Sequence, residues 1–187
     1  MEKSLTMSLS KELCLQDKAH SYTDIFADIF DRYYNRIYKY MRYRINRIEE
    51  AEDLSSQVFE QVMQKIETYH PDRGAFEVWL FTIAQNTVNA HYRQRKRWIW
   101  SPLESIRNLP SERPNPEAVA VHSEDQSRLL AALTSLDERE RNIIAMKFAG
   151  GLKNREIAQL MGLSESNTGV ILYRSLHQLR EILEEEE

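Results

Sequence analysis

Cationic and aromatic side chains are concentrated in the segment of residues 91–98. Guanidinium and ammonium groups neutralise phosphates, and exposed rings can stack on unpaired bases. In one interpretation, the combination predicts a surface that holds a DNA strand whose bases are unpaired. A solvated helix end is the other interpretation, because basic runs are usually solvated. The segment reads His91, Tyr92, Arg93, Gln94, Arg95, Lys96, Arg97 and Trp98.

A second group of charged side chains, at residues 49–53, is acidic. It could favour a helix start through the helix dipole or face a partner, and it lacks the histidines of a di-metal helical bundle. The chain contains neither a His-Glu-x-x-His motif nor a Gly-rich phosphate loop. We therefore predict no enzyme, no catalytic residue, no metal site and no cofactor. The five histidines are scattered at His20, His70, His91, His122 and His177.

The overall charge of the 187-residue chain is −4, which argues against coating DNA through bulk charge. Residues 1–100 carry 15 Lys and Arg against 14 Asp and Glu, whereas residues 101–187 carry 10 against 15. We expect weak DNA binding without a larger partner. With Cys14 as the single cysteine, no internal disulfide is possible. No apolar run reaches the ~20 residues of a membrane span, so we expect a cytoplasmic protein without membrane insertion.

Apolar residues recur at helical spacing through the first hundred residues and predict three helices. The first covers about residues 25–45, the second about 49–68, and the third begins near Ala75 after turn-forming residues at 70–74. Each helix has one apolar stripe, so we expect the three to pack as a bundle. The stripe of the third helix comprises Phe76, Trp79, Leu80, Ile83, Ala84 and Val88.

The helical period disappears at residues 101–125, where four of the five prolines predict a semi-extended linker that can hold two domains apart. Beyond it, Asp137 with Glu140 predicts a helix start. A short helix from Asn154, a turn at Gly162 and a long helix capped by Ser164 predict a helix-turn-helix. The predicted fold is all-α, with two small helical domains. An N-terminal three- to four-helix bundle (21–100) and a C-terminal helix-turn-helix domain (126–187) are joined by the Pro-rich linker (101–125).

Three motifs are more specific than the helical pattern. They are Ala51-Glu52-Asp53-Leu54 followed by Val58-Phe59, then Tyr69-x-Pro71-x-Arg73-Gly74-x-Phe76-x-x-Trp79-Leu80-x-x-Ile83-Ala84-x-Asn86, then Glu156-Ile157-Ala158-x-x-Met161-Gly162-Leu163-Ser164. In this order they resemble the extracytoplasmic-function (ECF) sigma factors of bacterial RNA polymerase. The resemblance covers about residues 22–183. It implies a subunit that binds core polymerase and directs it to promoters.

The resemblance implies that the second helix docks on a coiled coil of the largest polymerase subunit. The matching residues for core-polymerase binding are Glu52, Asp53, Leu54 and Phe59. Ser56 and Gln57 stand where the family often has Gln and Glu, so one carboxylate of the docking surface is missing.

The resemblance assigns the loop at 70–74 and the third helix to melting and reading the minus ten element. A flipped base needs a pocket, and the freed strand needs cations. Phe76 and Trp79 lie on the apolar stripe, so we expect them in the core. Ala90 stands where the family commonly has Asp. The predicted contacts are Asn86, Asn89, His91, Tyr92, Arg93, Arg95, Lys96 and Arg97.

The long helix of the helix-turn-helix resembles the reader of the minus thirty-five element. Gly169 and Ile171 stand where the family usually has Lys and Arg, so we expect weaker contacts there. Gly169 either permits close approach of the backbone or is simply tolerated. The predicted DNA contacts are Ser164, Glu165, Ser166, Asn167, Thr168 and Arg174.

Two other functions stay open at this point. One is a self-sufficient helix-turn-helix regulator that binds duplex DNA as a dimer, and the other is an adaptor that only occupies polymerase. The acidic balance favours an assembly subunit over the regulator, and the basic end of the third helix disfavours the adaptor. The expected partners are core RNA polymerase and promoter DNA, both duplex and melted. The resemblance also allows an anti-sigma protein as a partner.

Overall fold

The computed structural model describes residues 24–99 and 124–185, and all regular structure in these two stretches is helical. The predicted all-α class is confirmed. Apart from its last two residues, the predicted linker at 101–125 lies outside the described residues. The described residues form two compact units, one up to Asn35 and one from Arg36 onward. In the first unit the rings of Phe30 and Tyr34 stack with centroids 4.7 Å apart.

Three helices make up residues 24–99. Helix α1 covers residues 24–44, α2 covers Ile48–Lys65 and α3 covers Phe76–Ile99. Two short 3-10 turns, Ile66–Thr68 and Pro71–Arg73, connect α2 to α3. The predicted turn at 70–74 is confirmed, and the predicted helices match those observed to within three residues.

Helices α2 and α3 pack through their apolar stripes, and a polar pair joins them beside the core. Gln61 Nε2 donates to Thr87 Oγ1 at 2.9 Å, while the Thr87 hydroxyl donates to the Ile83 carbonyl. Both partners are thereby satisfied at the edge of the core. The core of residues 36–99 contains Ile37, Tyr40, Met41, Val58, Val62, Leu80, Phe81, Ala84 and Val88.

Four further helices make up residues 124–185. Helix α4 covers Glu124–Ala132 and continues as a 3-10 turn, and α5 covers Glu138–Ile144 and continues as a π-turn, Ala145–Ala149. Helix α6 covers Asn154–Met161, and α7 covers Glu165–Glu185. The core residues of these helices include Leu133, Ile143, Met146, Leu152 and Ile157.

Local capping explains where these helices begin and end. Glu140 N–H donates to Asp137 Oδ1 at 2.8 Å, and Asp137 N–H donates to Glu140 Oε2, which completes the predicted capping box of α5. At the end of α6, Gly162 has φ 63°, in the left-handed region that favours glycine. Ser164 Oγ accepts from Asn167 N–H at 3.1 Å and caps α7, as predicted.

The structure packs α1 and α3 directly against α5 and α6, a contact that the sequence pattern did not predict. Tyr40 O–H donates to Asn142 Oδ1 at 2.8 Å, and Arg36 donates to the Gly150 carbonyl from Nε (2.9 Å) and Nη2 (2.6 Å). Arg141 Nη2 donates to Asn46 Oδ1 at 2.8 Å. We call this set of contacts the inter-half contact, between residues 36–99 and residues 124–185.

Several large apolar side chains lie outside the core, and two of them, Phe76 and Trp79, were expected inside it. Phe148 is 53% exposed, and on α7 Val170 and Leu176 are 44% and 43% exposed. Phe76 and Trp79 are half-buried rather than core residues. Their rings form a cluster with Tyr69, in which the three centroid distances are 5.2–5.6 Å. The apolar stripes of these helices are therefore wider than the part of each helix that its neighbours bury.

Candidate functional site

The acidic start of α2 combines exposed carboxylates with buried apolar neighbours. Glu52 and Asp53 are exposed, whereas Leu54 and Phe59 are 4% and 3% exposed and hold the helix against its core. Glu50 Oε1 lies 3.2 Å from Arg47 Nη1, which pairs part of the acidic group. Of the four residues predicted to bind polymerase, the two carboxylates are thus accessible in this structure, and the two apolar residues position the helix that carries them.

The outward face of α3 carries amides and cations. Residues 79, 86 and 93 are seven positions apart, two helical turns, so they lie on the same face. Asn86, Arg93 and Arg95 are exposed and Asn89 is half-buried. Arg93 Nε donates to the Asn89 carbonyl at 3.3 Å. Lys96 and Arg97 lie in the last turns of α3, and their side chains are outside the described part of the chain.

The other two predicted minus ten residues are turned towards neighbouring helices. Tyr92 O–H donates to the Arg44 carbonyl in α1, and the Arg44 guanidinium carbon lies 5.8 Å from the centroid of the Tyr92 ring. His91 Nε2 lies 3.5 Å from Glu50 Oε2, a separation that is long for a hydrogen bond. Both side chains are half-buried, so they position α3 and are less accessible than Asn86 and Arg93.

The half-buried aromatic cluster lies at the N-terminal end of this outward face. Trp79 shares the face with Asn86 and Arg93, and Tyr69 reaches it from the preceding turn. The Tyr69 O–H donates to the Gly74 carbonyl at 3.3 Å. Sequence reasoning assigned Trp79 to the core and gave Tyr69 no role. The apolar stripe could not predict this half-buried cluster, because the cluster forms where the stripe passes the edge of the bundle.

The helix-turn-helix of α6, Gly162 and α7 presents one side of α7 outward. Glu165, Ser166, Asn167 and Arg174 are exposed, as the prediction requires of DNA contacts. Thr168 is fully buried, and its hydroxyl donates to the Ser164 carbonyl at 3.1 Å. Ser164 and Thr168 therefore cap and anchor α7. Sequence reasoning missed two exposed side chains on the same outward side, Tyr173 and His177.

Neither half of the described chain offers a metal site or a membrane span. In residues 24–99 and 124–185, no group of three His, Cys, Asp or Glu side chains could hold a metal ion. Among the helices that the structure describes, none is long and apolar enough to cross a membrane.

Comparison with known families identifies both halves. The family model "Sigma-70 region 2" matches residues 29–98, and the model "Sigma-70, region 4" matches residues 126–179. The chain is 32% identical over 151 residues to the ECF RNA polymerase sigma factor SigE of Mycolicibacterium smegmatis. The aligned residues cover 80% of this chain and 58% of SigE. The chain belongs to the ECF sigma factors. Proteins of this family act in transcription initiation and are not enzymes.

Other relatives agree with this assignment. The ECF RNA polymerase sigma factor BldN of Streptomyces coelicolor is 28% identical over 160 residues, which is 86% of this chain and 61% of BldN. SigX of Bacillus subtilis is 25% identical over 165 residues, 86% of this chain and 84% of SigX. This sigma factor thus spans about 60% of the length of BldN and SigE.

The solved structures share the fold. The sigma factor RpoE from Bartonella quintana, crystallised with the anti-sigma factor NepR, superposes with a TM-score of 0.68 at 20% sequence identity. The match covers 85% of this chain and 96% of that one. A second match is CnrH in complex with the cytosolic domain of CnrY, with a TM-score of 0.65 and 19% identity. Helices α2 and α3 of this sigma factor lie in its region 2, and α6 and α7 lie in its region 4.

Proposed function

We propose that this sigma factor binds core RNA polymerase and directs it to specific promoters, without catalytic chemistry of its own. The observation that carries the proposal is the separation of charge between two helices of region 2. Exposed carboxylates, Glu52 and Asp53, lie near the start of α2, and exposed cations, Arg93 and Arg95, lie near the end of α3. A partner with a basic surface and a polyanionic strand can therefore bind to different places on the same domain.

The assignment follows the predicted division of the chain into residues 21–100, 101–125 and 126–187. The first domain would dock on core polymerase through α2 and open the minus ten element with α3, and the third would locate the minus thirty-five element with α7. The names of the relatives support polymerase as the partner, since each is called an RNA polymerase sigma factor. The place of action would be the cytoplasm, where a bacterial polymerase transcribes.

An anti-sigma protein is a further proposed partner. RpoE and CnrH, which share the fold, were each solved with a second protein, and NepR is described as an anti-sigma factor. The shared fold supports such a complex, and co-purification of this sigma factor from its native host tests it. Recovery of core polymerase alone would argue against a dedicated anti-sigma partner under the growth conditions used.

The decisive experiment is transcription in vitro with sigma-free core polymerase on genomic fragments, with and without this protein. We expect defined start sites that depend on the added protein. The double variant Glu52→Ala/Asp53→Ala should weaken binding to core polymerase. Arg93→Ala/Arg95→Ala should instead reduce open-complex formation with little effect on core binding. Glu185→Gln, which alters an exposed carboxylate at the end of α7, is the control.

Two results would contradict the proposal. If no start site appears and the protein alone protects specific duplex DNA from nuclease, it is a self-sufficient helix-turn-helix regulator. If both double variants reduce core binding and open-complex formation equally, the division of labour between α2 and α3 is wrong.

A further inference from the structure

The outward side of α7 exposes an aliphatic and an aromatic side chain next to each other. Val170 is 44% exposed and Tyr173 is 72% exposed, and residues three apart are neighbours on a helix surface. The opposite side of α7 is covered by the rest of region 4, because Thr168, Leu172, Ser175 and Leu179 are all buried. The exposed pair is therefore not needed for the core of the domain.

Charge on the same helix is sparse. Between residues 165 and 179, Arg174 is the one cationic residue, and Glu165 opposes it in sign. Further along, Arg180 Nε donates to Glu184 Oε1 at 2.6 Å, so its charge is balanced within the helix. Phosphate neutralisation by α7 is accordingly limited, and base readout by a bidentate Arg or Lys is available at Arg174 alone along this stretch.

The polar residues that flank the exposed pair point to DNA as its occupant. Val170 and Tyr173 share the outward side with Ser166, Asn167 and Arg174, which can bond to base edges or phosphates. In the major groove the one apolar group that a base pair presents is the C5-methyl group of thymine. An apolar pair among groove-facing polar residues matches that chemistry.

We propose that Val170 and Tyr173 read thymine C5-methyl groups in the minus thirty-five element. This inference rests on the proposed function, which places α7 in the major groove. Positions 170 and 173 are separated by a rise of about 4.5 Å along the helix. Successive base pairs are about 3.4 Å apart, so the two side chains reach the same or adjacent base pairs. The element is therefore expected to contain thymine at neighbouring positions, on either strand.

The test removes the methyl group from the DNA and leaves every base-edge hydrogen bond intact. Promoter fragments found by transcription in vitro are rebuilt with deoxyuridine in place of one thymine at a time. Binding of the complete holoenzyme is then measured at fixed salt. For wild type, each contacted methyl group should contribute about fourfold in affinity, which corresponds to the ~0.8 kcal/mol of one buried CH₂ group. Deoxyuridine placed outside the promoter elements controls for effects on DNA shape.

Protein variants connect the methyl effect to the two residues. Val170→Ala and Tyr173→Ala should each bind thymine and deoxyuridine fragments equally at the position that the residue contacts. Phe148→Ala is the matched control, because Phe148 is 53% exposed but lies on the π-turn Ala145–Ala149 rather than on α7. This control should keep the fourfold preference. Thermal unfolding of each variant confirms that region 4 is folded.

The outcomes separate failure of the inference from failure of the proposed function. If no promoter is selected in vitro, the proposed function fails before the methyl groups are tested. If a promoter is selected and changes to its minus thirty-five sequence weaken binding, but no deoxyuridine position does, the inference alone is wrong. A methyl preference that persists in the Val170→Ala/Tyr173→Ala variant also overturns it. Loss of core-polymerase binding in that variant, with thymine preference unchanged, would show that the face contacts protein.

Discussion

The hydroxyl group of Tyr40 provides the most direct test of the inter-half contact. The Tyr40 ring is fully buried, and its O–H donates to Asn142 Oδ1 at 2.8 Å. The same ring meets Phe81 edge to face, with centroids 5.5 Å apart. The substitution Tyr40→Phe keeps the ring and its packing on Phe81, so the change is confined to one hydroxyl group and its hydrogen bond.

The magnitude follows from the burial of the acceptor. Asn142 is 4% exposed, so water has little access to the oxygen that loses its donor. A buried acceptor left without its donor lowers the free energy of unfolding by about 1–3 kcal/mol. For a chain of this length, each kcal/mol shifts Tm by about 2–4 °C, so we expect Tm to fall by about 2–12 °C.

Urea unfolding followed by circular dichroism measures the free energy of unfolding directly. The matched control is Tyr173→Phe, whose ring is 72% exposed, and its effect should stay within about 0.5 kcal/mol. A double-mutant cycle with Asn142→Ala should give a coupling energy of about 0.5–3 kcal/mol between the two residues. A Tyr40→Phe variant as stable as wild type, together with zero coupling, would refute the packing of region 2 on region 4 in the free protein.

Two glycines and an alkaline titration provide the remaining predictions, all measured by urea unfolding. Gly150→Ala should lower stability by about 1–3 kcal/mol, because the added Cβ would lie 2.8 Å from the Phe81 ring; wild-type stability would contradict that close approach. Gly169→Ala should raise stability by about 0.5–1 kcal/mol, because its Cβ would have no neighbour nearer than 4.0 Å outside its own helix backbone, and a loss would refute this. Burial raises the pKa of Tyr40 and of Tyr43, so above pH ~10 the unfolded chain releases protons that the folded chain keeps. Tyr40 should lower stability there by up to about 1.4 kcal/mol per pH unit, and the half-buried Tyr43 should contribute less. An equally steep fall in Tyr40→Phe would exclude Tyr40 as a source.

Local signals in the sequence predicted the elements well. The capping pair at Asp137 and Glu140 and the turn at Gly162 depend on interactions within a few residues, and both occur as predicted. The order of helices also follows from the apolar period, because each helix needs one buried stripe. The placement of the polymerase and DNA surfaces on α2, α3 and α7 came instead from the family resemblance, and it stays a prediction.

The sequence did not predict which helix faces bury one another across the two halves of the chain. Arginine side chains are mostly exposed in proteins, yet the Arg44 side chain is 2% exposed and its Nη1 donates to the Glu138 carbonyl. Val170 resembles a core residue, yet it faces outward. Periodicity tells which residues share a face, whereas burial depends on residues distant in the chain. The inter-half contact joins positions 76–114 residues apart, beyond the reach of any local pattern.

The hydrogen bonds of the inter-half contact determine how easily regions 2 and 4 can move apart. The minus ten and minus thirty-five elements lie ~25 base pairs apart, a span of about 85 Å of duplex. Yet in the inter-half contact, Gln85 Nε2 in α3 lies 3.4 Å from Met161 Sδ at the end of α6. A protein that engages both elements must therefore separate these helices. Several of the bonds that break are donated by charged arginine side chains to backbone carbonyls, and a hydrogen bond of this kind contributes about 1.5–3 kcal/mol. Engaging both elements would therefore cost the free energy of these bonds, which binding to polymerase and promoter DNA would have to offset.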